Sequence, residues 1–145
     1  MIILTQYLPS TAKATPNFTL YLTSEERTKI RQQIEIPEGE TVFLNLPRGT
    51  VLKNGDFLQN DTKDVTACVG AKPEEVMTVK AQSNLDLLKA AYYLGNRHVP
   101  LEITTEYLRF PADKVLSTML IGLGLDVKQE VAPFNPASGA YGTSR

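Results

Sequence analysis

One histidine stands among the 145 residues, at position 98, inside Tyr92-Tyr93-Leu94-Gly95-Asn96-Arg97-His98-Val99-Pro100-Leu101, where a helical pattern gives way to an extended one. Junctions between elements are where binding groups collect, and neutral imidazole is a ligand for nickel, copper and zinc. One imidazole does not hold a first-row metal alone. A two-fold dimer, however, presents His98 twice, and two rings completed by water and a carboxylate make an open shell from which an ion can leave. The competing role is structural: a histidine hydrogen-bonded at a helix C-terminus, where its positive form suits the helix dipole. Spacing alone favours that second role.

The other candidate groups are weaker. The single cysteine, Cys68, lies in a strand-like stretch between Val65, Ala67 and Val69, so a buried structural thiol is expected rather than a ligand. Asp113 is the one oxygen donor in Ala112-Asp113-Lys114 and is expected to serve as an anion in the first turn of a helix, while Lys114 is a poor ligand when charged. Glu25-Glu26 and Glu74-Glu75 are paired carboxylates read as solvated turns. Gly122-Leu123-Gly124 lacks the third glycine and the preceding strand of a dinucleotide loop, and helix termination accounts for it. With one histidine and no Gly-x-Ser-x-Gly elbow, a nucleophilic triad finds no support, and the chain is not expected to be an enzyme. Arg48, beside Gly49, is a turn residue with a solvated charge or a partner contact.

Two halves with different periods must position these residues. Up to about residue 72, short β-runs at 2–8, 18–22, 41–46 and 64–69 are separated by the turns Pro37-Glu38-Gly39 and Asn54-Gly55. Ser24-Glu25-Glu26-Arg27 starts a brief helical turn, and the alternation around Ile34 and Ile36 predicts a strand after it. Lys72-Pro73 marks a boundary, since proline holds its predecessor extended. Beyond it come a strand at 76–79, then a helix capped by Ser83 or Asn84 that carries Leu85, Leu88 and Tyr92 and ends near Gly95. Strands follow at 99–104 and 107–110, then a helix opened by Pro111 and Asp113, and a last strand at 126–134. Val115, Leu116, Met119, Leu120 and Leu123 give that second helix a broad apolar face. The expected fold class is α+β: a small β-rich N-terminal domain over residues 1–73, then a ferredoxin-like βαββαβ domain over 74–145 with a short flexible tail from Gly139 to Arg145. That architecture does not choose an activity.

Bulk properties narrow the partners. Fifteen Lys and Arg against sixteen Asp and Glu give a net charge of −1, so the basic patch that nucleic acid or an acidic membrane surface requires is not expected. No apolar run reaches a membrane span, and Met1-Ile2-Ile3-Leu4 is too short and lacks the basic flank of a signal peptide. A cytoplasmic location is expected, and one cysteine excludes an internal disulfide framework.

The stretch from Ala90 through Tyr92-Tyr93-Leu94-Gly95-Asn96-Arg97-His98-Val99-Pro100-Leu101 to Ile103 closely resembles the segment that marks the UreE family of urease accessory metallochaperones. Leu4-Thr5-Gln6, Leu46-Pro47-Arg48-Gly49-Thr50-Val51-Leu52 with Asn54-Gly55-Asp56, the run from Val115 to Leu125, Ala132-Pro133-Phe134-Asn135-Pro136 and Gly139-Ala140-Tyr141 agree in order over nearly the whole chain. The resemblance implies a β-rich domain joined to a ferredoxin-like dimerisation domain. It also implies a homodimer in which His98 binds nickel, Ni2+ held as transient cargo, at the subunit interface. The implied partners are the urease accessory GTPase and the apo-urease maturation complex. Three departures bear on this. Many members carry a second histidine at the position of Tyr93, others around Ala112-Asp113-Lys114, and a histidine-rich tail, and this chain has none of them. A dimeric interaction module that docks the GTPase while binding little metal is therefore the competing expectation.

Overall fold

The computed structural model describes residues 1–137. These divide into two compact units, the first Met1–Lys72 and the second beginning at Pro73. The segment 139–145, read above as a flexible tail, lies outside the described residues.

The first unit runs β1 (Ile2–Leu4), β2 (Gln6–Leu8), β3 (Phe18–Leu22), one 3-10 turn at Glu26–Thr28, β4 (Arg31–Glu35), β5 (Thr41–Asn45), β6 (Phe57–Gln59) and β7 (Thr66–Ala71). Its strands form two sheets, ordered β1-β5-β4 and β2-β6-β7-β3. The single strand expected over 2–8 is in fact two strands in different sheets. Ile2 to Leu4 pair in parallel with Val42 to Leu44, whereas Gln6 to Leu8 pair antiparallel with Phe57 to Gln59. Thr5 is the crossing point, its amide bound to the Gln59 carbonyl at 2.9 Å and its hydroxyl to Asp61. Both sheets turn alternate side chains into one core, where Leu4, Leu20, Leu22, Val42 and Leu58 are fully or almost fully buried.

Local chemistry explains the other differences. The strand expected at 64–69 starts two residues later, because Asp64 belongs to a turn in which it accepts from the Asn60 amide and the Thr62 hydroxyl. β6 has only three residues, too few for alternation to announce it. The turn at 24–27 is held by a reciprocal capping box: the Glu26 amide donates to Thr23 Oγ1 and the Thr23 amide to Glu26 Oε1.

The second unit runs β8 (Glu74–Lys80), α1 (Asn84–Asn96), β9 (Glu102–Ile103), β10 (Leu108–Pro111), α2 (Lys114–Gly122) and β11 (Asp126–Ala132). The sheet order β11-β8-β10-β9, with every neighbour antiparallel, is the ferredoxin-like arrangement expected from the element order. Val79, Leu87, Leu94, Leu108, Phe110 and Leu120 form its core. β8 is central, and it is buried on both sides from Val76 to Val79.

The other side of that sheet is polar and tied together. Arg109 Nε donates to Thr78 Oγ1 at 3.0 Å and Nη1 to the Pro133 carbonyl at 3.2 Å, Nη2 stands 3.5 Å from Glu130 Oε2, and the guanidinium lies 4.5 Å over the Tyr107 ring. Thr78 in turn donates to Glu130 Oε2 at 2.5 Å. This hydroxyl, aided by Lys128 and Arg109, holds the Glu130 carboxyl below its ordinary value of 4.5. A carboxylate with a lowered folded pKa stabilises the fold above its unfolded pKa, and that contribution is lost as pH falls through the folded value. Glu130→Gln is therefore expected to lower the urea midpoint at pH 7, with the gap from the parent closing below about pH 4.5. A gap that persists unchanged into acid would refute this role.

Candidate metal centre

His98 is positioned by the way α1 ends. The helix begins at Ser83, whose hydroxyl accepts the Asp86 amide at 3.1 Å, with Asp86 favourably placed in the first turn. Leu87, Ala90 and Leu94 anchor it to the sheet. At the other end the His98 amide donates to the Gly95 carbonyl at 3.0 Å and the Val99 amide to the Leu94 carbonyl at 3.4 Å. Those two bonds make a Schellman motif, and they require a left-handed residue between them. That residue is His98, at φ 56°. Val99, the next residue, packs on the core that contains Leu94, which completes the motif's apolar contact.

α2 supplies the comparison within the same unit. Its end uses the same pair of bonds, Gly124 amide to Ile121 carbonyl at 2.9 Å and Leu125 amide to Leu120 carbonyl at 3.1 Å. There the left-handed position is filled by Gly124, at φ 89°. Glycine adopts that conformation without the clash that an L side chain meets. The structural role expected of His98 is thus carried by its backbone. Its side chain is exposed, and the ring makes no hydrogen bond among the described residues.

The remaining candidates are occupied elsewhere or turned away. Asp113, expected as an anion in the first turn of α2, stands just before that turn as its N-cap, its Oδ1 accepting the Leu116 amide at 3.1 Å. Cys68 is half-buried, which corrects the expectation of a buried thiol: on β7 the inward positions belong to Ala67 and Val69, and position 68 between them faces the other way. Glu74 and Glu75 open β8 and do not form a turn, whereas Glu25 faces Lys29 at 3.6 Å. Gly49 takes φ 87°, and Arg48 beside it is exposed. Among the described residues there is no group of three or more His, Cys, Asp or Glu side chains able to hold a metal. The chain therefore offers one exposed imidazole.

The helical series Leu85, Leu88 and Tyr92 is not the buried face. Those residues are 59, 67 and 67% exposed, and the buried set lies two positions on, at Leu87, Ala90 and Leu94. On α2, Leu116 and Leu120 are buried while Val115, at 76%, and Leu123, at 55%, remain exposed. Both helices of this unit thus show apolar side chains to solvent. The strand expected over 99–104 shrinks to Glu102–Ile103, because the Val99 amide is used to end α1 and Pro100 has none.

Among known proteins, residues 74–145 match the family described as UreE urease accessory protein, C-terminal domain, and residues 4–71 match its N-terminal domain. The urease accessory protein UreE of Nostoc punctiforme is 55% identical over 142 residues, which cover 98% of this chain and 96% of that relative. Its counterpart in Thermosynechococcus vestitus is 50% identical over 141 residues, covering 97 and 98%. That of Acinetobacter baylyi is 44% identical over 141 residues, covering 97 and 88%. With both domain descriptions matched in order and such identities over almost its full length, this chain belongs to the UreE urease accessory protein family.

Proposed function

We propose that the chain is a homodimeric nickel carrier of urease maturation, which holds one ion between two His98 rings and hands it to apo-urease through the urease accessory GTPase complex in the cytoplasm. The observation that carries this reading is an exposed imidazole placed where the fold favours glycine. A left-handed L-residue costs about 1–2 kcal/mol, so the sequence keeps a side chain there at the expense of local stability. Strain of this kind gathers at functional positions. Imidazole suits nickel, and a shell of two rings and water stays open enough to exchange. A first-row ion released into the cytosol would be captured by competing thiolates and imidazoles, which favours transfer inside a docked complex. The ion is cargo that is moved and not turned over, so the role is accessory and not catalytic.

The apolar side chains exposed on the two helices support the dimer, since patches of this kind mark interaction sites. One observation favours the second reading, an interaction module that binds little nickel: Tyr93, where many relatives resembled by this sequence carry a histidine, has no ligating nitrogen.

Equilibrium dialysis is expected to give about one nickel per dimer, one site for two rings, weakening as pH falls because a protonated imidazole has no lone pair to offer. His98→Ala abolishes binding. His98→Gly also abolishes it but leaves the fold at least as stable as the parent. The relief of about 1–2 kcal/mol of left-handed strain exceeds the roughly 0.4–1 kcal/mol that added chain entropy costs. Several ions per dimer, or unchanged binding by either variant, would sink the carrier reading.

Sedimentation of the full chain is expected at twice the 16.0 kDa protomer mass, and Val115→Glu, at a residue 76% exposed, should shift it toward the monomer and lower nickel uptake with it. A parent that is monomeric at tens of micromolar, an order of magnitude at which specific interfaces fill, would count against the shared site. Co-elution with the GTPase in the presence of nucleotide is expected for the parent and for His98→Ala alike, which separates docking from metal transfer. Failure of both to co-elute overturns the partner, whatever the nickel result.

A further inference from the structure

From the register of β11 we infer that the second unit carries a self-association surface of its own, the free edge of β11, which pairs antiparallel with the β11 edge of a second copy. Two four-stranded sheets then become one. β11 pairs only with β8 and ends its sheet. The direction of its backbone groups follows from the far side of β8. There the Ala112 amide donates to the Glu75 carbonyl at 3.3 Å, one step beyond the pair Pro111 and Val76, where proline has no amide to give. Hydrogen-bonded pairs in an antiparallel ladder recur every second residue, so Glu75, Met77 and Val79 bond toward β10. Glu74, Val76, Thr78 and Lys80 are left for β11, where they meet Ala132, Glu130, Lys128 and Asp126. Val127, Gln129 and Val131 therefore turn their amides and carbonyls outward, and among the described residues no strand lies on that side.

The side chains choose the occupant. Charge on an open edge ordinarily keeps strands apart, but the order Val127-Lys128-Gln129-Glu130-Val131 is its own complement when reversed. About a two-fold axis through Gln129, Lys128 stands opposite Glu130 of the second copy, Val127 opposite Val131 of the second copy, and the two Gln129 amides face each other. Unlike charges and β-branched pairs placed directly opposite stabilise a sheet. A shift of two residues either way, the smallest that still matches outward groups, sets Lys128 or Glu130 against itself, so one register is selected. Val131 is 66% exposed and gains an apolar neighbour, while Val127 already packs on the core beneath the helices. Lys128, 3.7 Å from Glu130 within its own chain, gains a second carboxylate on the opposite face of the sheet. The contact goes beyond the nickel reading and does not rest on it. His98 leads into β9, at the other edge of the sheet, so paired β11 strands hold the two imidazoles apart.

The test uses the full chain with a metal chelator present. A seven-residue edge is a weak contact, so sedimentation is expected to show the mass doubling with a Kd on the order of 0.1–1 mM, above the tens of micromolar at which the dimer of the nickel reading is measured. The species present before the doubling bears on that reading, and the doubling alone bears on the edge. Gln129→Pro removes an outward amide that makes no bond to β8, so the fold should persist while the doubling is lost. Lys128→Glu, at a side chain 76% exposed, sets like charges opposite and should weaken it about tenfold or more, whereas His98→Ala leaves it unchanged. Register is read by cross-linking in a Cys68→Ser background under diamide. Gln129→Cys, the one position opposite itself, should link two chains, and Lys128→Cys and Val131→Cys should not. No doubling by millimolar concentration, equal linking at all three positions, or a doubling that survives both Gln129→Pro and Lys128→Glu would each overturn the proposal. So would a doubling that His98→Ala abolishes, which would place the contact at the imidazole end of the unit.

Discussion

Two hydrogen bonds at the end of α1, from the Val99 amide to the Leu94 carbonyl and from the His98 amide to the Gly95 carbonyl, set the terms for the rest of the second unit. They stop the helix, reverse the chain and return Val99 and Leu101 to the core, so that β9 can reach the sheet edge beside β10. They also oblige the residue between them to be left-handed, and that residue is the one histidine. Its backbone is pinned while its imidazole is carried out to solvent. With the backbone fixed, the ring is free to reorient only by rotation about its own side-chain bonds.

The ferredoxin-like sheet distributes its two faces unequally. One receives both helices through Leu87, Ala90, Leu94, Leu116 and Leu120, and the other is closed by Arg109, Glu130 and the turn of chain at Pro133 and Phe134. Arg109 serves this second face by spending its donors on a hydroxyl, a carbonyl and a carboxylate at once, with its flat side on Tyr107. Paired in this way, the charge avoids the penalty that an isolated one meets near a core. The outer sides of the helices keep apolar side chains exposed, among them Leu85, Leu88, Tyr92 and Val115. That apolar surface and the exposed imidazole lie in the same unit.

The first unit solves a different problem. Two small sheets must share one core, and the chain achieves this by changing sheet at Thr5 and by running β1 and β3 parallel to their partners while the remaining pairs are antiparallel. β4 is left as a sheet edge, where the exposed Arg31, Gln33 and Glu35 alternate with the half-buried Gln32 and Ile34. Edges left open are commonly blunted by charge. Here the positive charges gather at one end, which gives the edge a polarity as well as protection.

Features that depend on a few neighbouring residues were legible in the sequence. Ser83 and Asp113 announced their helices because a cap is a bond across three residues, and Gly39, Gly55 and Gly124 marked the turns that only a left-handed backbone permits. The order of strands and helices in the second unit followed, and with it the ferredoxin-like topology. His98 stood out as the one imidazole, and its family resemblance came from the residues around it. What sequence did not decide was direction. Leu85, Leu88 and Tyr92 recur at the same helical spacing as Leu87, Ala90 and Leu94, and only the sheet they meet determines which set is buried. Residues 2–8 read as one strand because alternation carries no mark of which partner each half will pair with. Likewise His98 in isolation reads as a helix-end histidine; the Schellman bonds show that its backbone ends the helix while its ring stays exposed. Local hydrogen-bonding chemistry is written in the order of residues, whereas the facing of side chains and the pairing of strands are settled when distant segments compete to exclude water.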